Sequence, residues 1–137
     1  MPDGPALALQ AALIARLRAH PAVASIVAGR VHDEPPQDVA FPHVRLGVFD
    51  LAPLRLSGAC TDEDIRFSVE CHSRPLSGRV EVARLARAVR EALDDAPLAV
   101  TGWRVDWCVF TAEAVSRAAD GRGYIAVLAF EAALGAP

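Results

Sequence analysis

The chain has 137 residues, 53% of them apolar and 23% charged, and a formal net charge of −3. That size and mixture predict one globular domain spanning residues 1–137, with about two thirds of the unfolded surface buried, and exclude a disordered chain. All 14 basic residues are arginine, yet the acidic surplus argues against a domain that grips nucleic acid by neutralising phosphates.

No apolar run reaches the ~20 residues of a membrane span, because Arg16, Arg18 and His20 interrupt the longest early one. The opening MPDGPALALQ lacks the basic start of a secretory signal, and the odd count of three cysteines points to reduced thiols in a cytosolic product.

Taken in chain order, Gly4 and Pro5 form a helix entrance, and Leu9, Leu13, Ile14 and Leu17 recur at helical spacing until Pro21 follows. PAVASIVAG predicts a short second helix, with Gly29 just past its end. A polar, proline-containing connection follows, and HVRLGVF alternates Val44, Leu46 and Val48 against His43, Arg45 and Gly47, the period of a half-buried strand. LAPLRLSGACTDE, with Pro53 and Gly58, reads as a loop or an extension of that strand. DIRFSVECH sets Ile65, Phe67, Val69 and Cys71 against Asp64, Arg66, Ser68, Glu70 and His72, the cleanest strand pattern of the chain.

Ser77 is placed to cap a helix running to about Asp94, with Val82, Leu85, Ala86, Val89 and Leu93 inward. WRVDWCVF predicts a strand with Trp103, Val105, Trp107 and Val109 on one face and Cys108 out of phase, continuing through TAEAVSRA. Asp120-Gly121 marks a turn into GYIAVLAFEA, which is apolar on both faces. The order α-α-β-β-α-β-β predicts an α+β fold: a four-stranded antiparallel sheet with helices packed on one face.

Three groups could carry chemistry. RVHDEPPQDVAFPHVRLG gathers His32, Asp33, Glu34 and His43, but consecutive side chains fan apart, and Pro35-Pro36 favours an extended path. In Cys71-His72, strand geometry sends the thiol to the core and the imidazole outside. Arg84, Arg87 and Arg90 form a ridge on the outer face of the long helix, a solvated face or a charged contact with another subunit. No catalytic, metal or cofactor site emerges. The remaining surplus is apolar: the last hairpin, and Leu51, Leu54 and Leu56 beside Arg55, which predict assembly with another chain.

LQAALIARLRAHPAVASIVAGRVHDEPPQDVAFPHVRLG resembles the start of the tail-completion, or tail-terminator, family of long-tailed phages and gene transfer agents. DIRFSVECHS, GRVEVARLARAVREAL and TAEAVSRAADGRGYIAVLAFEA follow in the family's order, and His43 stands where an aromatic residue is commoner. The resemblance implies a virion or particle protein of the neck, assembled in the bacterial cytoplasm, without catalysis or cofactor. It implies a homo-hexameric ring on the head-proximal end of the tail tube that stops tube growth, meets the tail tube protein and the connector's stopper, and passes DNA through its lumen. Leu51, Leu54, Arg55, Leu56, Arg84, Arg87 and Arg90 are the expected interface residues. The competing readings are a head-closure stopper or adaptor of the same neck, a small cytosolic hydrolase using His32 with Asp33 or Glu34, and a stand-alone binding module.

Overall fold

A computed structural model of the chain describes residues 3–55 and 61–137. Two helices lead: α1 (Pro5–Ala19) and α2 (Pro21–Val27). Each opens on a proline, whose missing N–H costs nothing in a first turn. A two-residue strand β1 (Val31–His32) precedes the long strands β2 (His43–Arg55) and β3 (Thr61–His72). Helix α3 (Gly78–Leu93) then leads to β4 (Arg104–Arg117) and β5 (Tyr124–Gly135).

The strands form one sheet in the order β1-β2-β3-β5-β4. All neighbours are antiparallel except β1, which runs parallel to β2, with Val31 beside Val44 and His32 beside Arg45. The expected four-stranded antiparallel sheet is therefore a five-stranded mixed one. Two residues are too few to show a period, so β1 leaves no pattern to read.

The core lies between one face of the sheet and the three helices. Leu9, Leu13 and Leu17 of α1, Val23 and Val27 of α2, and Val82, Leu85, Val89 and Leu93 of α3 are buried against Ile65, Phe67, Val69, Leu128, Phe130 and Leu134. Phe130 is its centre, stacked on Phe67 at 5.3 Å and met edge-on by Phe110 at 5.7 Å. Ser77 stands at the α3 N-cap position, but its hydroxyl donates to the Arg74 carbonyl instead of accepting from the helix.

Bulges reset the strand phases. In β2, Leu46 pairs with Val69 and Phe49 with Phe67, so Gly47 and Val48 together face Ser68. The Ser68 hydroxyl accepts from the Val48 N–H at 2.9 Å, and a Cβ at Gly47 would collide with that hydroxyl. Val48, expected on the buried face, is thereby 62% exposed. In β4, Asp106 is the extra residue: Val105 pairs with Leu134, Trp107 with Ala133 and Cys108 with Ala132. The bulge turns Trp107 to the outer face and Cys108 into the core, the reverse of the expected alternation. Beyond it, β2 continues as strand through Leu51, Ala52, Pro53 and Leu54 to Arg55.

Candidate functional site

A buried, perturbed histidine lies where β2 begins and β3 ends. His43 is buried, its ring stacked on His72 at 4.6 Å and tilted against Phe41 at 4.8 Å. Burial first, then the charges of His72, His32 and Arg30, push its pKa down to about 4, against a backbone hydrogen bond at Ala40 that pulls the other way. The imidazole is neutral at pH 7. His72 Nε2 is 3.1 Å from Glu70 Oε1.

The loop 33–42 returns the chain beside β1, which brings His32 near His43 despite the paired prolines. Even so, Asp33 and Glu34 point to solvent, and no hydrogen bond joins either to His32. Among the described residues no group of three or more His, Cys, Asp or Glu is placed to hold a metal ion. Cys71 is wholly buried and its thiol pushed well above the usual range. Cys108 is pushed up to about 12, burial leading in both cases. Neither thiol has the ionised form a nucleophile needs. Cys60 lies outside the described residues. No described helix is long and apolar enough to cross a membrane.

The surfaces are more informative than the titratable groups. The three arginines of the expected ridge separate into different environments. Arg90 lies over the Phe110 ring at 4.1 Å, and Arg87 pairs with Glu91 one turn on at 2.8 Å. Arg84 makes no ion pair or hydrogen bond with any described residue and faces a groove of about 640 Å³ between α2, the turn at Phe41-Pro42 and the start of α3. Arg30 and Arg74 share that groove. Arg30 Nε donates to the Pro42 carbonyl, and Arg74 holds Glu81, the groove's one acid, through both side chain and backbone. Its apolar floor includes Ile26, Phe41 and Val80, the last two 42% and 59% exposed.

The far end of the sheet has the opposite character. Leu51 and Leu54 are exposed at the end of β2, and Arg55 is its last residue. Leu56 lies outside the described residues. Opposite them on β3, Asp62 is tied to Arg104, but Glu63 Oε2 and Asp64 Oδ1 are buried with no hydrogen-bond partner among the described residues. Asp64 shares a hydrogen bond with Glu131 and raises that carboxyl's pKa, while Arg66 stands 3.9 Å away. Sequence reasoning missed the groove because its lining comes from distant stretches; of the acids, Asp62 and Glu63 were read in a loop or strand extension and Asp64 on the outer face of the following strand.

A profile of the family described as tail completion protein gp17 matches residues 11–135. The chain belongs to that family. This makes it a structural protein of a phage-type tail. Among solved structures, a chain in the virion of a native gene transfer agent (GTA) particle is 30% identical, with a TM-score of 0.82 over 95% of this chain and 96% of that one. No curated protein sequence matches. The family match and the structural likeness each extend over most of the chain.

Proposed function

We propose that this tail completion protein is the ring-forming terminator of its tail, a neck component of a phage or gene transfer agent particle. It sits on the head-proximal end of the tail tube, halts addition of tube protein and offers the surface to which the head connector docks. The reading rests on the full-length likeness to a chain of a gene transfer agent virion.

The surface fits that role. Ring closure needs two different, complementary patches on each copy, and the two ends of this sheet differ in charge and shape. Six copies of net charge −3 would carry −18, which discourages DNA from adhering as it passes through a lumen. The stopper reading has no observation of its own, and the hydrolase reading lacks an acid oriented on His32.

Electron microscopy of particles from a producer strain lacking the gene, with a complemented control, tests the proposal. Unjoined heads beside tubes of uncontrolled length are expected. Normal finished tails beside leaking heads would assign the protein to the head side, and intact particles would remove it from the neck.

A further inference from the structure

Leu76, in the turn between β3 and α3, is 93% exposed, the most of any large apolar residue among those described, and its φ is +65°. A bulky side chain in the left-handed region is costly, and a leucine left in solvent gains no burial in return. The turn is nonetheless fixed. The Leu76 N–H donates to the Arg122 carbonyl at 2.8 Å and the Ser73 N–H to the Tyr124 carbonyl at 3.0 Å, so the side chain is held out as a knob beyond the end of the sheet.

The outer face of the sheet carries a matching hole, an open apolar pocket of about 540 Å³ lined by Val48, Val127 and Ala129. Asp50 and Glu131 line it too, against one cation, Arg66. Beside the knob the balance is reversed: Arg79 lies over the Tyr124 ring at 5.0 Å, and neither it nor Arg122 makes an ion pair with a described residue. A copy cannot fill its own hole. Ser68, in the pocket lining, lies four residues back from His72 along β3, about 13 Å at ~3.3 Å per residue, and the turn beyond His72 is tied to the opposite side of the sheet's end at Arg122 and Tyr124.

Resting on the ring reading above, we propose that Leu76 of one copy seats in the outer-face pocket of the next, with Arg79 and Arg122 facing Asp50 and Glu131. The seat covers an apolar side chain with apolar surface and brings a basic flank to an acidic rim. A second copy is the favoured occupant because one chain carries both halves. The halves are different surfaces, so the contact is heterologous, passes from copy to copy, and closes when the rotation divides a full turn.

Removing the knob and filling the hole test this. The gene-deletion strain is complemented with wild type, L76G, L76M or V127R, joined particles are counted, and each variant's fold is checked by thermal melting. L76G is expected to melt no lower than wild type, because glycine takes a positive φ without steric cost, yet to lower the count on the order of tenfold, as loss of an interface anchor does. V127R should fold and show a similar loss, and L76M should stay within about twofold of wild type. In a strain that also expresses wild type, so that particles form, L76C/V127C should give covalent dimers and higher oligomers on oxidation, and neither single cysteine variant should.

Full complementation by L76G or by V127R overturns the proposal and leaves the terminator reading standing. Loss with L76G but no covalent oligomers from L76C/V127C also overturns it, and gives Leu76 to a different neck protein. Intact particles from the uncomplemented deletion strain would instead remove the terminator reading itself.

Discussion

On the helix side of the sheet, Phe130, Leu128 and Ile65 are at most 1% exposed, each enclosed by α1, α2, α3 or neighbouring strands. On the outer face and at the hairpin end, Val48, Leu51, Leu54, Trp107 and Val127 are all more than a third exposed. The first region completes its own packing within one copy. The second leaves apolar surface that another molecule can cover. A mutation in the first should therefore act on folding, and one in the second on assembly.

The largest effect should come from the enclosed region. Phe130→Ala removes the ring stacked on Phe67 and met by Phe110, and should cost about 3–5 kcal/mol in a denaturant titration. A loss below ~1 kcal/mol would mean that the helix side is not the core on which the comparison rests.

Next comes acid sensitivity at His43. Its pKa, depressed to about 4, makes the unfolded chain bind more protons than the folded one between that value and the ordinary 6.5. Stability is therefore present above pH 6.5 and lost as pH falls toward 4. The loss should be of order 2 kcal/mol. His43→Phe, which keeps an aromatic ring in the stack, should flatten that portion of the pH–stability curve. Equal slopes for both proteins would place the acid sensitivity elsewhere.

At the hairpin end the comparison predicts a change of readout. Leu54→Asp should shift stability by less than ~0.5 kcal/mol, as surface substitutions usually do, yet lower the yield of joined particles. Unchanged joining would take Leu54 out of the interface. The smallest effect belongs to Arg87→Ala, which removes an exposed one-turn ion pair with Glu91 and should cost under ~0.5 kcal/mol. Its particles should be normal.

Much of the enclosed region was legible in the sequence. The inward faces of α3 and β3 stand at uninterrupted helical or strand spacing, and the structure buries Val82, Leu85, Ile65 and Val69 as that spacing predicts. Bulges were not legible, because one extra residue at Asp106 or at Gly47-Val48 leaves the composition unchanged while reversing the side chains that follow it, in β4 as far as a second irregularity at Thr111. Pro53 made the end of β2 look like a loop. β2 is an edge strand beyond its short pairing with β1, where a missing N–H is tolerated. The groove was hidden for a different reason: Ile26, Phe41 and Arg84 meet only once the sheet and helices have packed.

The most direct measurement is a cryo-electron-microscopy reconstruction of the particle neck. A closed ring of this chain between the tail tube and the head connector is expected. A ring whose hairpin ends and grooves both face solvent, or this chain found away from that junction, would contradict the division between self-sufficient core and partner-seeking surface.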